Sequence, residues 1–182
     1  LDVSASGVAV EREGEFIRAA KDVEDFLDKG QATKAQARLT WLRREFPRAA
    51  VLHVLDCEGH LRAGRTGPAK AACRQAVAAH EMALYDHARS RLADAGWLRV
   101  LGEAEGKGAL LTFAVEGAHA HDVAQIMDRY GVAVRAGLHC AEPLAKRLGV
   151  SASARASFAL YNTMEDTDAF VDALIKARNF FV

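Results

Sequence analysis

Among the 182 residues, Cys140 is the side chain best placed to do chemistry. It follows Gly137, Leu138 and His139 and precedes Glu142 and Pro143, a composition that reads as a turn leaving a strand. His139 is its neighbour, and Arg135 lies five residues upstream. Cationic groups beside a thiol favour the thiolate, which is the nucleophile, so this segment could carry covalent sulfur chemistry. The other two cysteines, Cys57 and Cys73, fall within helical runs and are expected to be buried small hydrophobes. Three cysteines without CxxC spacing point away from a secreted disulfide framework and toward a reducing, cytoplasmic setting. His53 and His60 are seven apart with no third ligand, so packing or surface roles are expected. His119, His121 and Asp122 precede a helix, where Asp122 favours the helix dipole, and no metal site is expected there.

Two kinds of element must position these residues. From residue 15 to 76 β-branched residues are sparse and the pattern is helical. Gly30 and Gly64 lie 34 residues apart, each followed by an Ala-rich amphipathic run, one of which ends at Pro47. From residue 77 the pattern changes. A helix carries Met82, Tyr85, Ala88 and Leu92 on one stripe, and a strand follows near 99–102. In the next strand Leu111, Phe113 and Val115 alternate with Leu110, Thr112 and Ala114. A helix with Val123, Ile126, Met127 and Tyr130 at i, i+3, i+4 and i+7 comes next. Then come the strand VAVRAG, the short helix AEPLAKRLG and the strand ARASFAL. A last helix turns Phe170, Ala173, Leu174, Ala177 and Phe181 inward. The expected fold is mixed: an all-α region over 1–76, then an α/β (α+β) domain over 77–182 with helices on one face of a small sheet.

Composition excludes several classes. Lys and Arg number 24, as do Asp and Glu, so no net field favours nucleic acid or an anionic membrane. No apolar stretch approaches the roughly 18 residues of a spanning helix. The opening LDVSASGVAVEREGEF has neither a basic lead nor an apolar run, so no signal peptide is expected. The chain starts at Leu1 rather than Met, as a processed or excerpted chain would.

The 34-residue spacing resembles that of tetratricopeptide repeats, with Pro47 at the closing proline and Glu81 in the second unit's equivalent place. An ordinary helical hairpin stays open beside it. The stretch from His80 and Glu81 to the end resembles the C-terminal domain of cysteine desulfurases, in the SUF-type, selenocysteine-lyase-like branch of class V aminotransferases. The motifs are His119-x-His121-Asp122, the RAG-x-HCA-x-PL block at 135–144 and the RAS-x-x-LYNT block at 155–163. The resemblance implies a fold like the C-terminal domain of fold-type I pyridoxal phosphate enzymes. It implies that Cys140 is the cysteine that takes sulfur as a persulfide, with His139 beside it. It also implies that Arg155 pairs with the substrate carboxylate and that Arg135 is a second active-site arginine. Leu138 replaces a histidine usual in the family, and Glu142 a neutral residue. Pyridoxal phosphate is the implied cofactor, yet none of the seven lysines follows a histidine as the family's cofactor lysine does. Implied partners are cysteine, a sulfur donor or acceptor protein serving iron–sulfur cluster assembly, and a second copy or a complementary cofactor-bearing domain. Other readings stay open: a helical scaffold with a remnant domain, or a recombined or designed chain.

Overall fold

The structure, a computed structural model, describes residues 12–46, 49 and 51–181. Pro47 and the first eleven residues, on which part of the repeat and leader readings rested, lie outside the described residues. The chain forms two compact units, Leu1–Ala83 and Leu84–Val182.

The first unit is helical. It holds α1 (Glu13–Asp28), α2 (Ala32–Glu45), α3 (Val51–Arg62) and the start of α4 (Thr66–Arg91). Phe16, Ala19, Ala20, Val23 and Leu27 make one buried stripe on α1, at the spacing that returns to a single helix face. Ala35, Leu39 and Leu42 of α2 and Leu52 and Leu55 of α3 complete the core. Phe46 closes it edge-on against Phe16 at 5.1 Å. The 34-residue spacing corresponds to two like turns. Gly30 (φ +67°) and Gly64 (φ +69°) both take the left-handed conformation that a side chain would strain. In each turn the next amide closes back onto the helix, Gln31 N–H to Phe26 O at 2.8 Å and Arg65 N–H to His60 O at 3.0 Å. Buried Asp56 accepts from Arg43 at 2.7 Å, with His60 at 3.7 Å. Among the described residues no cluster of His, Cys, Asp and Glu could hold a metal ion.

Contrary to the expectation from sequence, Cys57 and Cys73 are not buried small hydrophobes. Cys57 on α3 and Cys73 on α4 form a disulfide across a Cα separation of 4.8 Å. Both are half-buried and neither is in the core. The physical reason is that the turn at Gly64 brings α4 back beside α3, which spacing along the chain does not reveal. Cysteine number therefore no longer argues for a reducing setting. Among the described residues no helix is long and apolar enough to cross a membrane.

α4 is continuous through 76/77, the boundary drawn from sequence, and the two units divide within it at 83/84. The second unit contains the end of α4, β1 (Leu98–Leu101), β2 (Leu110–Val115), α5 (Ala120–Arg129), β3 (Arg135–Gly137), α6 (Glu142–Arg147), β4 (Ser153–Ser157) and α7 (Met164–Phe180). Its sheet has the order β1-β2-β4-β3 with every pair antiparallel. The alternation read in β2 holds: Leu111, Phe113 and Val115 are buried. Val123, Ile126 and Met127 of α5, Phe170, Val171 and Leu174 of α7, Leu84, Tyr85 and Ala88 of α4, and Leu92 just beyond it are buried with them. Phe170 meets Phe113 and Phe158 edge-on at 6.1 and 6.0 Å. Each such large side chain contributes about 1.5–3 kcal/mol by leaving water. Of the inward residues expected on the last helix, Phe181 is only half-buried.

Candidate active site at the Cys140 loop

The opposite face of the sheet positions the chemistry. Cross-strand partners share a face, and the register pairs Leu101 with Thr112, Thr112 with Arg155, and Arg155 with Arg135. These residues form one row across all four strands. Beyond Gly137 the chain turns over that face through Leu138, His139 and Cys140 and enters α6. Leu138, His139, Leu144 and Leu148 then line a cleft of about 160 Å³ together with Leu110 and Arg155. Arg99 of β1 donates to the carbonyl of Leu148 at 2.6 Å, tying the end of α6 to the sheet edge.

The turn is unusual in its backbone. His139 (φ +54°) and Cys140 (φ +59°) are consecutive non-glycine residues in the left-handed region. Each such residue costs on the order of 1–2 kcal/mol, so the surroundings must impose the conformation. The hydrogen bond from Ala141 N–H to Leu138 O at 2.9 Å closes the turn. His139 Nε2 lies 3.1 Å from the backbone carbonyl of Ser153 on β4. A carbonyl only accepts, so Nε2 carries the proton and Nδ1 is the bare acceptor. Burial pushes the His139 imidazole below the usual histidine range. The bond to Ser153 opposes this, while the charges of Arg155 and Arg135 add to it. The ring is neutral at neutral pH.

Cys140 is exposed and is the free cysteine among the described residues. The Arg135 guanidinium donates to its Sγ at 3.8 Å. Among the described residues neither Arg135 nor Arg155 meets a carboxylate in an ion pair. Arg155 Nε and His139 Nδ1 are both buried without a hydrogen-bond partner, in contrast to the usual state of buried polar atoms. The site thus offers two guanidiniums for an anion and an exposed sulfur beside one of them. The structure brings Cys140, His139, Arg135 and Arg155 to one face, with His139 turned to the sheet rather than to the sulfur. Glu142 is engaged by Lys146 at 2.9 Å, one turn along α6.

Several supports were not read from sequence. His119 caps α5, its Nδ1 accepting from His121 N–H at 3.4 Å, and Asp122 lies in the first turn of that helix. The His119 and His121 rings stack at 5.5 Å. Gly137 (φ +125°) packs beneath His121, whose Nε2 would lie 3.8 Å from a Cβ at that position. The signal for this contact was the His-x-His spacing, which marks a helix start but not its neighbour. The partner roles of Ser153 and Arg99 carry no sequence signal.

The comparisons with known proteins bear on the same stretch. Residues 70–170 match the family described as Aminotransferase class-V. A probable cysteine desulfurase of Halobacterium salinarum is 49% identical over 107 residues, 58% of this chain and 26% of that protein. A probable cysteine desulfurase of Streptomyces coelicolor is 47% identical over 107 residues, again 58% of this chain and 26% of the relative. The crystal structure of the Escherichia coli cysteine desulfurase CsdA is similar with a TM-score of 0.55 and 34% identity, covering 66% of this chain and 31% of that one. The chain therefore spans about a quarter of the length of these two curated relatives. Since the matched stretch takes in more than half of the residues, including the paired arginines and the cysteine turn, the chain belongs to the class V aminotransferase family.

Proposed function

We propose that the second unit handles sulfur from cysteine, with Cys140 as the residue that receives it as a persulfide. The observation that supports this most is the pairing of an exposed, arginine-bonded Cys140 with an Arg155 that has no carboxylate partner. In the transfer, the Cys140 thiolate attacks the outer sulfur of a persulfide donor. The donor's S–S bond breaks and its thiolate leaves, with no net change of oxidation state. Arg135 stabilises negative charge on Cys140 before attack and on the outer sulfur afterwards. Arg155 is suited to hold the carboxylate of free cysteine. Neutral His139, fixed to Ser153, acts as a positioning residue for the turn.

The family implies pyridoxal phosphate, and the residues gathered at this site do not fit it. They offer a thiol, an imidazole and two guanidiniums, and the nearby amine, Lys146, is exposed and engaged by Glu142. No imine-forming amine faces the cleft among the described residues. On this reading the cofactor is carried by a different segment or partner, and the sulfur acceptor is a small thiol or a protein serving iron–sulfur assembly.

The alternative is an interaction scaffold with tetratricopeptide-like helices, favoured by the like turns at Gly30 and Gly64. That reading predicts a buried Cys140, whereas Cys140 is exposed. Complementation separates the two. The cofactor-bearing portion of the Streptomyces coelicolor relative, mixed with this chain and cysteine, should release sulfide, and Cys140→Ser should release none. No sulfide above that of the cofactor-bearing portion alone favours the scaffold.

A further inference from the structure

Outside the Cys140 loop, the first unit contains a covalent link that its packing makes important. Its buried core draws on α1, α2, α3 and the residues that follow α2, with Phe16, Val23, Leu39, Leu42 and Leu55 at its centre. α4 contributes nothing to that cluster. Before Leu84, α4 fully buries only Ala69 and Ala72, whose methyl groups remove little apolar surface from water. The disulfide from Cys57 to Cys73 is the covalent tie between this weakly buried segment and α3. Cys73 lines an open groove with Lys70, Arg74, Val77 and Glu81, and neither cysteine is fully buried. A small thiol can therefore reach the bond.

We propose that the Cys57–Cys73 disulfide is a redox-sensitive fastener that holds residues 66–83 of α4 against the three-helix core, opened by exchange with a small dithiol. The reductant's thiolate attacks Cys73 Sγ, the disulfide breaks, and Cys57 leaves as a thiolate that takes a proton from water. The reductant's second thiol then attacks its own sulfur in the mixed disulfide and releases Cys73. Two electrons pass to the cysteine pair, and the reductant departs as a disulfide. Lys70 and Arg74 on the same groove place positive charge near the departing Cys73 thiolate. With the bond open, Ala69 and Ala72 are the fully buried residues left in the segment, and a helix end with so little tertiary packing frays readily in water. Residues 66–83 then fray while α1–α3 keep their core. This inference is independent of the chemistry assigned to Cys140.

Segment-resolved amide hydrogen exchange on the full chain tests it. Adding dithiothreitol should speed exchange across 66–83 by about tenfold or more and leave α1–α3 unchanged. Oxidised glutathione should restore protection, and Cys73→Ser should exchange fast without any reductant. Unchanged protection of 66–83 in both the reduced protein and Cys73→Ser would overturn the proposal. Loss of protection across α1–α3 as well would also overturn it, because the bond would then secure the whole unit. Alkylation of all three cysteines after treatment with oxidised glutathione would show that no such bond forms.

Discussion

At the residue scale, the sulfur of Cys140 is governed by what Arg135 and the backbone do around it. The guanidinium at 3.8 Å supports negative charge on the sulfur, and the paired left-handed residues hold it outward. Arg135→Ala should slow alkylation of Cys140 by iodoacetamide at neutral pH roughly fivefold. That corresponds to ~1 kcal/mol for one charge-assisted contact discounted for exposure. An unchanged rate would remove Arg135 from the account. His139 adds a pH dependence with a definite sign. Its folded pKa is depressed, chiefly by burial, so the neutral ring stabilises the fold above the unfolded value of about 6.5. That stability is lost as pH falls from about 6.5 toward the lower folded value, because the unfolded chain then binds the extra proton. Denaturant midpoints of wild type should fall more steeply below about pH 6.5 than those of His139→Gln, which keeps a donor for Ser153 without titrating. Parallel profiles would contradict the half-buried, neutral ring. Arg135, His139 and Cys140 stand out by residue type and spacing, while Arg155 is singled out only by the family resemblance. The orientation of His139 does not, because its partner Ser153 sits 14 residues away on another strand and offers only a backbone carbonyl.

At the scale of elements, the second unit is held by devices of known strength. Thr163 and Asp166 form a reciprocal capping box at the start of α7, satisfying two amides that the helix leaves open. Thr163→Ala should cost about 1 kcal/mol in denaturant unfolding, and Thr163→Ser should recover most of it. His87 at 2.7 Å and Arg91 hold Asp168 on α7 and keep its carboxyl below the usual range, so that tie weakens as pH falls through the depressed value. Gly137 is the element junction most sensitive to change: at φ +125° any side chain strains the backbone just before the cysteine turn. Gly137→Ala should lower both the unfolding midpoint and the Cys140 alkylation rate, since the turn can no longer take its present geometry. Retention of both values would show that β3 relaxes freely. The alternation in β2 and the 3.6-residue stripes of α5 and α7 were legible because one face of each is buried. The three-residue β3 was legible only as part of a longer apolar run, and sequence placed its start three residues too early.

At the scale of the whole molecule, the sequence pattern changes from helical to strand-bearing at 76/77, and the two units divide at 83/84. The position of that division inside α4 was hidden, because a continuous helix has no breaker at 76/77 or 83/84 to mark it. The disulfide was hidden for a related reason: 16 residues separate its cysteines, and only the return of α4 at Gly64 makes them neighbours. The central claim concerns Cys140, and intact-mass analysis after incubation with an active desulfurase and cysteine tests it most directly. One added sulfur should appear on Cys140, transfer onward to a small thiol, and be absent in Cys140→Ser. Arg155→Ala should retain this transfer, since a protein-bound persulfide presents no free carboxylate, while binding free cysteine about tenfold or more weakly. No added sulfur on Cys140, with the desulfurase active in the same tube, would contradict the account.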